Sequence, residues 1–236
     1  MPITEEMLAR AKQHRRAESE QLLAQTYAPV YRIAHALLGR ADLAAGVVAR
    51  VMRRALARVE KWRDDADAQR WFLHHTIIEV RRTAPAEPPD ANADLLVARA
   101  EPGAGVAHAA FVRAVRALPP QQREAVVLHH AAHLNERYVA VAMDCSTSAA
   151  QAHLAAGNDT LRAVAGGDLD ARLADLGAAY RNLGPAVDTV APAVRRVVAG
   201  DLRARRWRVW GRLFVGVLAT GALAAATWYA WTQLRG

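Results

Sequence analysis

The sequence predicts an all-α protein, and three observations carry that expectation. Apolar residues recur at spacings of three and four through successive segments, which is the pattern of amphipathic helices. Ala and Arg dominate the composition while residues that favour sheets are sparse. Proline clusters, at Pro85 to Pro89 and at Pro119 and Pro120, fall between the periodic segments and not within them. A length of 236 residues leaves room for one large domain, or for two small ones with a tail.

Taken in order, the first helix is expected over residues 3–38, with Leu22, Leu23, Tyr27, Val30, Tyr31, Ala34, Leu37 and Leu38 on one face. Gly39 follows in a C-cap position. A second helix from about Asp42 carries Val47, Val48, Val51, Met52, Ala55, Leu56 and Val59, and a third, from about Asp67 to Arg82, carries Trp71, Phe72, Ile77, Ile78 and Val80. Three such helices with short joints predict a bundle over residues 1–82. Residues 83–107 hold Pro85, Pro88, Pro89, Pro102, Gly103 and Gly105 and read as a linker.

The next domain is expected over residues 108–165. Pro119 and Pro120 suit the turn before a helix or its first position. From Gln121 the residues Ala125, Val126, Leu128 and Ala132 are helically spaced, and a short helix follows from Asn135 to Met143. Asp144 and Cys145 break the pattern, and Ser146, Thr147 and Ser148 supply hydroxyls to cap a third helix running to about Val164. Two helices joined by a tight turn, the second capped and largely exposed, form a helix-turn-helix. Residues 166–206 read as a helical spacer in two segments separated by Gly184 and Pro185.

Residues 207–233 close the chain with a predicted transmembrane helix. Leu213 to Trp231 holds no charged residue and is long enough to cross a hydrocarbon core of about 30 Å. Trp207, Trp210, Trp228, Tyr229 and Trp231 flank it, as in the aromatic belts of membrane helices. Arg195, Arg196, Arg203, Arg205, Arg206, Arg208 and Arg212 precede it and Arg235 alone follows it. That asymmetry predicts a single pass through a membrane with the N-terminal domains cytoplasmic, the Arg cluster lying against anionic membrane lipid. Glu5, Glu6, Arg10 and Lys12 interrupt any apolar run at the start, so no signal peptide is expected there.

The formal charge is +8, carried by 29 arginines and only Lys12 and Lys61, which points to an anionic partner. Cys145 is the single cysteine, so neither a disulfide framework nor a Cys-rich zinc site is expected. His129, His130 and His133 cluster without a carboxylate at ligand spacing other than Glu136, and no metal or cofactor is expected. Phosphate loops, nucleophile elbows and HExxH motifs are absent from the sequence, which argues against an enzyme.

Leu118, Pro119, Arg123 and Glu124 form a Leu-Pro-x-x-x-Arg-Glu pattern that, with the helices after it to Arg162, resembles the C-terminal DNA-binding domain of extracytoplasmic-function RNA polymerase sigma factors. Tyr27 to Arg32, Leu37 to Gly39, Val47 to Leu56 and Trp71 to Leu73 resemble that family's N-terminal domain. The resemblance implies a divergent member that regulates transcription initiation, with core RNA polymerase and promoter DNA as partners and a protein regulator as a further one. It implies DNA contacts at Ser146, Thr147, Ser148, Gln151, His153, Asn158 and Arg162 of the recognition helix, and at Arg70, Trp71, Arg81 and Arg82 of the promoter-melting helix. Polymerase contacts are implied at Val48, Arg50, Met52 and Arg53.

Two surfaces depart from the family pattern. Where the family presents acids to polymerase, this chain has Ala45, Gly46, Ala49 and Arg50; where it presents Lys and Arg to DNA, this chain has Gln151, Ala152, His153, Ala156, Gly157 and Asn158. From Ser146 to Val164 the one full positive charge is Arg162, so DNA binding is expected to be weak. The alternative is a sigma-like fold that serves as a protein-interaction module at the inner membrane, without promoter recognition.

Overall fold

A computed structural model describes residues 3–13, 16–83, 105–203, 207, 210 and 220–223 of the chain. The protein is all-α, with no strand among those residues. The predicted first helix is two: α1 spans Glu5–Lys12 and α2 spans Arg16–Leu38. Thr4 starts α1 by accepting from the Met7 amide, and the Gln13 amide ends it by bonding back to Arg10 and Ala11 carbonyls. No Gly or Pro marks that break in the sequence.

Helix α3 (Ala41–Arg58), a 3₁₀ turn (Val59–Lys61) and α4 (Asp65–Thr83) complete the N-terminal bundle. Its core holds Leu22, Leu23, Val30, Val47, Val51, Met52, Phe72 and Ile77, all essentially inaccessible. Gly39 has φ +68°, the left-handed conformation that ends α2 and that other residues adopt at a cost.

After α4 most of the predicted linker, residues 84–104, lies outside the described residues; its ends are helical, Thr83 in α4 and Gly105 in α5. Helices α5 (Gly105–Ala117), α6 (Pro120–Val126), α7 (Glu136–Met143) and α8 (Thr147–Ala165) build the second domain. Pro120 occupies the first turn of α6 as expected. That helix does not continue regularly to Ala132. It widens into a π turn at Val127–Ala131, where the Ala132 amide bonds the Val127 carbonyl at 2.9 Å.

The residues after the turn of α8 are not a loose spacer. Helix α9 (Leu169–Asn182) buries Leu169, Leu173, Leu176, Ala179 and Tyr180 against the π turn and α2, and residues 187–203 form α10, anchored by Val194 and Val198. One apolar core is continuous through both domains. Among the described residues no helix is long and apolar enough to cross a membrane. The predicted span from Leu213 to Trp231 lies outside them except for Thr220 to Leu223.

Candidate nucleic-acid interface

The helix-turn-helix is set by three local devices. Asn135 caps α7 by accepting from the Tyr138 amide at 3.0 Å. Asp144 then takes the left-handed conformation at φ 58°, which a short polar side chain tolerates and which turns the chain sharply. Ser146 Oγ caps α8 by accepting from the Ala149 amide at 3.1 Å. Burial pushes the Cys145 thiol in that turn above its ordinary pKa, so it is a poor nucleophile and behaves as filler.

Helix α8 buries Ala150, Leu154, Gly157 and Leu161 and turns Ser148, Gln151, Ala152, Ala155 and Asp159 outward. Of the predicted DNA contacts, Ser146, Thr147, Ser148 and Gln151 are exposed at the leading end, with Gln151 hydrogen-bonded to Glu136 of α7. His153 is half-buried. Asn158 is corrected: it faces the π turn, where the His130 ring donates from Nε2 to its Oδ1 at 3.1 Å. Arg162 is exposed but held by Asp159 one turn earlier. The exposed face therefore carries one carboxylate and one cation, paired with each other, which leaves polar base-edge contacts without a free phosphate anchor.

Gly157 lies where α8 crosses α6. A Cβ there would fall 2.8 Å from Val126 Cγ2 and 3.4 Å from the Gln122 carbonyl oxygen. The glycine read from sequence only as a weak helix former is the close-approach point of the domain.

On α4, the predicted nucleic-acid residues do different things. Arg70 reaches back to Asp67 at 3.6 Å. Trp71 is half-buried, with the His75 ring stacked at 4.0 Å on its face and Trp62 at 5.3 Å, so base stacking would first have to displace His75. Arg81 makes a bidentate pair with Glu124, at 2.9 and 2.6 Å, and also donates to the Met143 carbonyl at 3.1 Å. One side chain thus ties the end of α4 to both α6 and the helix-turn-helix, and the paired carboxylate raises the Arg81 pKa further. Arg82 reaches Glu79 at 3.2 Å.

The predicted polymerase surface needs correction too. Val48 and Met52 are core residues with 0% and 1% exposure, so neither can touch a partner. Arg50 pairs with Glu79 at 2.8 Å and with Thr83, leaving Arg53 as the exposed member of the set. Glu79, with 2% exposure, also receives Arg54. Sequence reasoning missed Glu79, although its place on the buried face of α4 beside Thr76 and Val80 meant that it needed a cationic partner.

Arg123 and Glu124, the charged pair of the Leu-Pro pattern, are structural. Arg123 donates to the Arg116 carbonyl at 2.9 Å, and Glu124 accepts Arg81. His129, His130, His133 and Asp170 line an open cavity of about 450 Å³ between the π turn and α9. One ring nitrogen of each histidine is engaged: His129 Nδ1 donates to the Leu134 carbonyl, His130 Nε2 is held by Asn158 and His133 Nε2 accepts from Arg181. No group of three or more His, Cys, Asp or Glu among the described residues could hold a metal ion.

These elements define a helix-turn-helix domain joined tightly to a helical bundle. Residues 108–157 match the family model of sigma-70 region 4, so this segment of the chain is similar to that region of sigma factors. No curated protein matches the chain.

Proposed function

We propose that the chain is a non-catalytic, sigma-factor-like regulator of transcription initiation that brings its helix-turn-helix to promoter DNA and binds core RNA polymerase. The observation that carries this reading is the sigma-70 region 4 match over residues 108–157, laid on two capped helices and the left-handed turn between them. The N-terminal bundle supports it by sequence resemblance, as the partner domain of a sigma factor in the expected order. The same reading holds the chain at a bacterial inner membrane through residues 207–233, from the Arg asymmetry and Trp flanks in the sequence. Both macromolecular contacts are weak in this reading. Ala45, Gly46, Ala49 and Arg50 stand in place of the acids of the polymerase face, and the one exposed cation of α8, Arg162, is paired with Asp159.

The full chain, tagged and presented with core polymerase, tests it: polymerase should be retained at low salt and released as salt rises. Absence of retention at every salt concentration would favour the other reading, a sigma-like scaffold for a different protein. The paired state of Arg81 and the core shared by the two domains give that second reading its footing.

A further inference from the structure

The bundle carries a ridge of cations that neither the helix-turn-helix nor the core uses. Arg50, Arg54 and Arg58 follow one another at four-residue steps along the edge of α3 that faces α4, and Arg53 projects from the outer face beside them. From Arg50 to Arg58 the ridge is about 12 Å long. Arg82 joins it from α4. The ridge is built around one acid: Glu79, buried between the helices, receives Arg50, Arg54 and Arg82. Three guanidiniums share one carboxylate, which leaves two positive charges uncompensated in that cluster. Arg53 and Arg58, exposed and without an ion pair among the described residues, raise the excess to four. The field reaches neighbouring groups, since Arg54 and Arg58 add to the burial that lowers the His75 pKa.

A buried anchor of this kind holds planar donors in place before any ligand arrives, which limits the ordering entropy that flexible surface cations would lose. The anion that fits is a repeating phosphodiester. Duplex DNA carries one charge per roughly 1.7 Å of axis, so several phosphates fall within the ridge. Continuity favours DNA over an anionic membrane. Arg81 and Arg82 are consecutive, the first fastened to Glu124 and the Met143 carbonyl beside the helix-turn-helix, the second part of the ridge. The cations thus begin within one side chain of the turn that presents α8.

We propose that the Arg50–Arg53–Arg54–Arg58–Arg82 ridge is a phosphate-backbone track for the DNA that the helix-turn-helix engages, supplying the electrostatic anchor that α8 lacks. The inference rests on the DNA-binding half of the reading above and not on the polymerase half. It gives the basic face of α3 an anionic partner in place of a basic protein surface.

The test measures affinity of the full chain for a random-sequence duplex over a series of salt concentrations, comparing the native chain with Arg53→Gln/Arg58→Gln. Arg53 reaches only the Ala49 carbonyl of its own helix, at 3.3 Å, and neither arginine forms an ion pair among the described residues; thermal melting checks that the variant is intact. Loss of two phosphate contacts should flatten the slope of log affinity against log salt by roughly 1.8, about 0.9 for each. Arg10→Gln on α1, remote from the ridge, should leave the slope unchanged. An unchanged slope in the double variant overturns the track while leaving DNA binding by α8 intact. A chain that binds no duplex at any salt overturns both. Vesicles containing phosphatidylserine form the last arm: if the double variant loses vesicle binding and keeps its DNA slope, the ridge serves a membrane and the proposal fails.

Discussion

At single positions, packing decides more than propensity does. Exchanging Gly157 for Ala would add helix propensity of up to about 1 kcal/mol. The new methyl would instead meet Val126 Cγ2 at 2.8 Å across the α6–α8 crossing. Gly157→Ala should therefore destabilise the chain by about 1–2 kcal/mol, read as a lower urea midpoint at unchanged slope; a gain in stability would show that the helices can part without cost. His130 supplies a second test. Burial first, then the neighbouring His129, holds its pKa below the ordinary histidine value, against Asn158 and Asp170, which pull the other way, and His133 adds to the depression. A folded-state pKa below about 6.5 means that the unfolded chain binds more protons as pH falls past that value. The stability is present above it and is lost on acidification through it. The native chain should lose more stability between about pH 7.5 and about pH 5.5 than His130→Gln, measured by urea unfolding at each pH. Equal losses would remove His130 from the account.

Among the elements, what the sequence makes legible and what it hides separate cleanly. The cap at Ser146 and the ends of α7 and α8 follow from residue chemistry within four positions, and they lie close to where the sequence places them. The apolar faces of α3 and α4 are legible for the same reason. The division of α1 from α2 is not, because Gln13 ends a helix through backbone bonds that any residue could make. The π turn is hidden too, since it depends on α9 lying against it: a Cβ on Gly177 would come 3.2 Å from the His130 carbonyl. At the site, Ser148 and Gln151 are legible as outward residues of α8, whereas Asn158 turns inward to a histidine 28 residues away. The Arg81–Glu124 pair, 43 residues apart, belongs to the same class. It should couple α4 to α6: a double-mutant cycle with Arg81→Gln and Glu124→Gln should give an interaction energy of about 1–2 kcal/mol, below the range for fully buried pairs because Arg81 is 40% exposed. Additive losses would mean that the pair merely accompanies the packing of the two domains.

The whole molecule places its charge away from its recognition helix. The chain is strongly basic, yet the outward stripe of α8 is neutral to acidic, while α3 and the end of α4 gather arginines around Glu79. A sigma-like regulator built in this way depends on its bundle for affinity and on its helix-turn-helix for position. The central claim is that the chain directs initiation, and transcription by core polymerase on a library of genomic fragments tests it most directly. With the full chain added, discrete transcript starts should appear that core polymerase alone does not produce, fading as salt weakens the phosphate contacts. Identical transcripts with and without the chain, under conditions where it holds both polymerase and DNA, would contradict the account and leave a sigma-shaped binding module in its place.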